Sequence, residues 1–193
     1  MRANAERRRP IFQNEEVKPK LHSIEMLRAE HVNVLHACAE GEMLAQSLLR
    51  SKSVPAEALS ALARFFGEYV RERHGRKERE LLFPIIERKH GPEVLRLSLR
   101  DHEEGCWWIR CLHQIVDPYN NGCVEAGKRW AQTCLRYTTM LKSQIEEEER
   151  SLYPLAEEAL TPGEELVLCE AFEEADREAD QHIGDWAEKG EAA

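Results

Sequence analysis

The chain has no apolar run approaching the ~18–20 residues that a bilayer-spanning helix needs, although 42% of its 193 residues are hydrophobic. The arginines near its start are not followed by an apolar signal core, so neither membrane insertion nor secretion is expected. None of its six cysteines forms a CxxC pair, which removes the usual zinc-ribbon pattern. Cys38, Cys106 and Cys134 fall on inward helix faces and are expected as reduced, buried thiols in a cytoplasmic protein. Proline and glycine are sparse, at 8 and 10 residues, and alternating runs of strand formers are missing, which points to an all-α fold. An excess of positive charge is missing as well. A net charge of −9 argues against nucleic acid as the main partner.

What is present is long helical periodicity. Residues 1–20 carry six bases against three acids and two prolines without a helical stripe, and read as a basic N-terminal tail. A first helix is expected from about Leu21 to Arg50, with the inward stripe Ile24, Leu27, His31, Val34 and Cys38. Ser53 and Pro55 look like a cap and first turn for a second helix, Ala56 to about Lys89. Its stripe is Leu59, Ala63, Phe66, Val70, His74, Glu78, Leu81 and Ile85, and Pro84 inside it should kink the helix or loosen a turn. A third helix, from about Pro92 to Val116, carries Leu95, Leu99, His102, Cys106, Ile109, His113 and Val116 inward. Asp117 to Gly122 reads as a turn. A fourth helix, Val124 to about Leu160, turns Trp130, Cys134, Tyr137, Leu141, Gln144, Glu148, Leu152 and Leu155 inward. Thr161-Pro162-Gly163-Glu164 has the form of a capping box that opens a fifth helix. That helix has few apolar positions (Leu166, Cys169, Ala171, Phe172) and should lie outside the bundle. Residues 144–193 hold seventeen acids and three bases. The organisation expected is an up-down-up-down four-helix bundle over 21–160 with an acidic C-terminal helix over 161–193 packed on it.

Two stretches echo each other. HGRKERELLFP (74–84) overlays QIEEEERSLYP (144–154), so that Glu78 meets Glu148, Leu82 meets Leu152, Phe83 meets Tyr153 and Pro84 meets Pro154, while His74 meets Gln144. Rise per residue puts the inward polar residues at one height. His31 lies about 20 residues before the first turn and His74 about 20 after it, and Glu78 and His102 flank the second turn at about 12 and 11, at ~1.5 Å per residue. Across the third turn Cys106 and Gln144 match less well. One core layer would therefore hold His31, His74, Glu78, His102 and Glu148, with Cys106 and Gln144 beside them. Each residue alone has an ordinary reading as a core histidine, a helix-surface pair or part of a solvated acidic run. Together they cannot be buried unpaired without costing several kcal/mol per charge. A first-row cation resolves this, because neutral imidazole and carboxylate are its ligands.

The segments EHVNVLHAC, HGRKERELLFP, DHEEGCWWIR and LKSQIEEEERSLYP resemble the hemerythrin-like, HHE cation-binding family over about residues 22–175. The resemblance implies a four-helix bundle around a non-heme iron centre, usually of two irons. It implies His31, His74 and His102 as ligands and Glu78 and Glu148 as bridging carboxylates, with manganese or zinc as alternative metals. Gln144 stands where the family has a histidine, and Cys106 where relatives often have His, Glu or Arg. An asymmetric centre is therefore expected. One ion is held firmly by His31, His74 and the bridges, and a second, left with His102 and a Gln144 oxygen or Cys106 sulfur, is weaker or missing.

The function expected is binding of, or reaction with, O2, peroxide or nitric oxide, or the sensing of redox or iron state. The alternatives are a regulatory or interaction bundle with a structural, single-ion or empty site, its termini facing a protein partner or a second copy. His22, His36, His90 and His182 read as solvent-facing or terminal, and His113 as structural. One of Trp107 and Trp108 should pack between helices while the other faces outward or against the fifth helix.

Overall fold

The computed structural model describes the backbone of residues 21–191 and side chains as far as Gln181. The expected basic tail (1–20) and the side chain of His182 lie outside the described residues. All described elements are helical. Helix α1 is His22–Leu49. Helix α2 spans 56–90, α3 spans 92–120, α4 spans 124–159, and α5 is Pro162–Glu191. Helix α4 packs between α1 and α3, α2 packs on α3, and α5 lies against α1 and the middle of α2.

The layout of the core follows from the stripes. One apolar cluster joins Val34, Phe66, Ile109, Trp130 and Tyr137. A second joins Leu27, Leu82, Phe83, Leu95, Leu152 and Phe172. Between these clusters each of α1 to α4 turns polar residues inward, among them His31, His74, Glu78, Ser98 and Glu148, so a polar layer is held between two apolar cores. The inward stripe of α1 is buried throughout, as is that of α4 from Trp130 to Leu152.

Helices α2 and α4 loosen at this layer. Helix α2 widens into π-helical turns at Phe66–His74 and Lys77–Leu82, and α4 does so at Glu148–Leu152. The stretches Lys77–Leu82 and Glu148–Leu152 run up to the proline of the echoed motif, Pro84 or Pro154, which lies in the first turn of the next α-helical segment. Proline has no N–H for the i−4 carbonyl and its ring crowds that carbonyl, and a wider turn relieves both. The extra residue per widened turn rotates everything beyond it. Leu81 and Ile85, expected inward, are therefore only partly buried, and Leu82, Phe83 and Ile86 fill the core instead.

Other expectations need correction. Ser53 does not cap α2: the residue before the helix is Pro55, and no side chain caps it. Helix α3 opens with a 3-10 turn, Pro92–Leu95, and continues to Asn120, so that Pro118 is helical and only 121–123 form the turn. The phenol of Tyr119 explains the extension. It donates to the Val54 carbonyl at 2.6 Å and accepts from the Val54 N–H at 3.2 Å, tying the end of α3 to the α1–α2 connection. Leu99 and His113 are exposed, and Ser98, Gly105 and Leu112 take the inward places on α3. Leu155 on α4 is only partly buried. On α5 Leu166 is exposed, and Leu168, Phe172 and Ala175 are the buried positions.

The capping box at the start of α5 forms as expected. Thr161 Oγ1 accepts the Glu164 N–H at 3.3 Å, and Glu164 Oε2 accepts the Thr161 N–H at 3.0 Å. Thr161→Ala is expected to cost about 1 kcal/mol in chemical denaturation; an unchanged midpoint would show that α5 starts without this cap.

All six cysteines are free thiols. Burial pushes Cys38 and Cys134 up to about 12, so both stay protonated. Cys106 is only partly buried. Trp107 is half exposed, while Trp108 packs against the core and donates to Glu104 at 3.0 Å. His22, His36 and His90 are exposed.

Candidate metal centre

The polar layer collects one or two side chains from each of α1 to α4. Helix α1 supplies His31, α2 supplies His74 and Glu78, α3 supplies His102, and α4 supplies Gln144 and Glu148. His31, His74, Glu78 and Glu148 are all buried, and one ligand atom of each lies within 4.8 Å of the other three. Ligands ~2.0–2.2 Å from a common ion are at most ~4.4 Å apart. The set is therefore slightly open and would draw inward to hold one cation.

The orientation of each group favours that use. Nε2 of His31 lies 3.5 Å from Glu148 Oε2, and Nε2 of His74 lies 3.4 Å from Glu78 Oε2. On the far side of each ring Nδ1 meets a carboxylate: Glu149 at 2.8 Å for His31 and Glu30 at 2.9 Å for His74. A ligand imidazole is characteristically held this way, because donation from Nδ1–H fixes the tautomer that leaves Nε2 free. The inner carboxylates are held in the same manner by their outer oxygens. Tyr153 donates to Glu78 Oε1 at 2.8 Å, and Gln144 and Ser98 donate to Glu148 Oε1 at 2.9 and 3.0 Å. That leaves Glu78 Oε2 fully buried with no aligned hydrogen-bond donor among the described residues, although imidazole nitrogens of His74 and His102 lie 3.4 and 3.3 Å away. A cation is what such an oxygen lacks, so the donor set fits a metal.

The inner carboxylates draw positive charge into the layer. Burial works against charge on His31, yet the Glu148 hydrogen bond and the charges of Glu78 and Glu148 raise it to about 9. Burial would raise Glu78, but His74, His102 and His31 hold it well below the usual carboxylate range. Burial and the same two carboxylates push Tyr153 far up, so its phenol remains a donor. Its ring stacks on His31 at 5.4 Å between centroids and 8° between planes.

His102 is placed differently. Its Nε2 lies 3.3 Å from Glu78 Oε2, 3.7 Å from Glu148 Oε1 and 3.1 Å from the Gln144 amide nitrogen. Its Nδ1, however, accepts from the Arg79 guanidinium at 3.4 Å. A donor thus stands where His31 and His74 have carboxylates. The residue level with Gln144 is His102, not Cys106. Because α3 runs on to Asn120, His102 lies 20 positions before Gly122 and Gln144 22 after it. Cys106 lines the cleft next to the layer without joining the ligand cluster.

Several contributors were not foreseen from the sequence. Glu30 and Glu149 lie beside expected site residues, but only the packing of α1 on α2 and on α4 turns them to His74 and His31. Tyr153 had a signal: it is the hydroxylated partner of Phe83 in the echoed motif. Lys77 is the least anticipated. Its side chain is fully buried, 2.5 Å from Glu30 and 2.6 Å from Asp176 of α5, so the outer helix is joined by charge to the carboxylate that holds His74.

A sequence-family model described as the hemerythrin HHE cation binding domain matches residues 22–156. No curated protein and no solved structure matches the chain. The matched span contains every residue of the polar layer and ends before α5.

Proposed function

The chain belongs to the hemerythrin HHE cation-binding domain family, and from that premise we propose that it is a non-heme iron protein of unequal ligand set on an up-down-up-down four-helix frame, acting on O2, peroxide or nitric oxide. His31, His74, Glu78 and Glu148 hold the firm ion. His102, the shared carboxylates and Gln144 form a weaker second position. The observation that carries this is the paired orientation of His31 and His74, with each Nε2 turned to an inner carboxylate and each Nδ1 donated to an outer one. Iron held there supplies a redox-active centre with places open to a small ligand. The protein's own part is to orient the imidazoles, to keep Tyr153 as a donor on Glu78, and to exclude bulk water with the apolar clusters on either side.

Elemental analysis of protein expressed with sufficient iron tests the reading. About one iron per chain is expected, and less than a tenth of an equivalent of iron, manganese or zinc would refute it. Gln144→His restores an imidazole beside His102 and is expected to raise the ratio toward two. An unchanged ratio would mean that the Arg79-bound His102, rather than Gln144, limits the second position.

A regulatory reading has one observation in its favour, the chain of contacts Asp176–Lys77–Glu30–His74 that ties α5 to the layer. The same metal would then set how firmly α5 and the termini are presented to a protein partner or a second copy. Metal removal should make α5 exchange amide hydrogens faster by at least about tenfold. Equal exchange with and without metal would leave the small-ligand reading alone.

A further inference from the structure

The layer is closed on the α1 side, where Glu149, Glu30 and the buried Tyr153 occupy the outer edges of His31 and His74. It is approached from the opposite side. A cleft between α2, α3 and α4 has Arg79, Asp101 and Cys106 at its partly exposed mouth, and His102, Gln144 and Glu148 at its floor. The cavity measures about 20 Å³. A single water needs ~10–15 Å³, so the floor admits a ligand of very few atoms.

Arg79 differs from the other arginines around the layer. Arg28 pairs with Glu25, Glu149 and Glu157, and Arg73 pairs with Asp176 and Asp180. Arg79 has no carboxylate within ion-pair distance among the described residues. Its two contacts, the Arg71 carbonyl and His102 Nδ1, are both at the long limit of 3.4 Å. The nearby acid on the cleft, Asp101, is taken by Arg100 at 2.9 Å. Arg71 at the rim is paired with Glu72 at 3.2 Å. Gly75 lies close under the Arg79 head group: a Cβ there would be 2.7 Å from Arg79 Nη1, 3.0 Å from the Val70 carbonyl oxygen and 3.3 Å from the His102 ring. A guanidinium carries five donors in a fixed fork suited to anions, and most of these are unused here.

We propose that Arg79 is the anion-recognising group of this cleft, so that a small monoanion entering the layer from solvent is selected by this side chain. It would be held between the Arg79 fork and the open His102–Gln144 side of the metal position. This rests on the metal reading above and adds the residue that favours a charged small ligand over a neutral one. Arg79 acts on entry and binding, and is not a metal ligand.

Azide is the probe for the anion and nitric oxide the neutral control, each titrated by absorption into the iron-loaded full chain. Iron content and melting temperature are measured on the same samples. Arg79→Gln should weaken azide by at least about tenfold while changing nitric oxide affinity less than twofold, as loss of a charge-assisted hydrogen bond requires. Arg79→Lys keeps the charge but not the fork and should lose about threefold. This second variant decides the matter if Arg79→Gln does not retain iron, with unchanged azide affinity counting against the inference. Azide affinity within twofold of wild type in Arg79→Gln, or equal weakening of azide and nitric oxide, overturns it. Wild-type protein without metal would instead refute the function proposed above, and elemental analysis separates the two failures.

Discussion

Lys77→Met is expected to destabilise the metal-free protein by about 3–5 kcal/mol, the usual cost of removing one partner from a buried ion cluster. The ammonium has no exposure, and the Glu30 and Asp176 carboxylates lie 2.5 and 2.6 Å from it. The Phe172 ring closes over it at 5.7 Å. Methionine keeps much of the volume and leaves two carboxylates facing each other across an apolar side chain. Glu30 retains His74 at 2.9 Å and a distant Arg73 at 3.9 Å, and Asp176 retains Arg73 at 2.9 Å, so the loss is that of the buried ammonium and not of every ion pair between α2 and α5. The triple variant Lys77→Met, Glu30→Gln, Asp176→Asn separates stability from function. Neutralising a whole buried cluster is often close to neutral for stability, and most of the lost stability should return. Metal affinity should not return with it, because His74 has lost the charged partner on Nδ1, and outer-sphere partners of this kind are worth about 10–100-fold. Denaturation midpoints on metal-free protein and chelator competition on loaded protein read the two effects. A single variant as stable as wild type would mean that Lys77 reaches water and does not couple α5 to the layer.

Glu78→Gln should abolish metal retention with little change of shape. Glu78 is the one inner carboxylate with a buried oxygen that no donor satisfies. An amide there offers a neutral, weaker ligand, and its NH2 group can take the place of the cation. The expected loss of affinity is about 100-fold or more, exceeding that for an outer-sphere partner. Wild-type protein at a free metal concentration of about 1,000 times its dissociation constant gains about 4 kcal/mol of stability by mass action. Glu78→Gln should gain almost none under the same conditions. Melting temperatures with and without metal give the comparison directly. If metal shifts both proteins equally, the ion lies elsewhere. If it shifts neither, the layer is a relic held by ion pairs and hydrogen bonds, as the Gln144 replacement by itself would allow.

Residue order alone determined a good deal here. The 3.6-residue period laid the inward stripe of α1 out correctly, and that of α4 as far as Leu152. The echo of 74–84 in 144–154 marked the two helices that loosen at the layer. Thr161 and Glu164 announced the start of α5. His31, His74, Glu78, His102 and Glu148, picked from stripe and height, do meet in one layer. These features depend on local geometry, which repeats along a helix and can be counted.

The tertiary structure decided what counting cannot reach. The π-helical turns rotate α2 beyond Glu78, so Leu82 and Ile86 displace Leu81 and Ile85 from the core. Tyr119 binds Val54 and carries α3 through Pro118, which brings His102 rather than Cys106 opposite Gln144. Glu30, Glu149, Lys77, Asp176 and Arg79 acquire their roles only from the helix facing them. A charged side chain reads the same in sequence whether it faces water or an imidazole. Which of the two it meets depends on how neighbouring helices are rotated and spaced, and that is fixed by packing across the bundle.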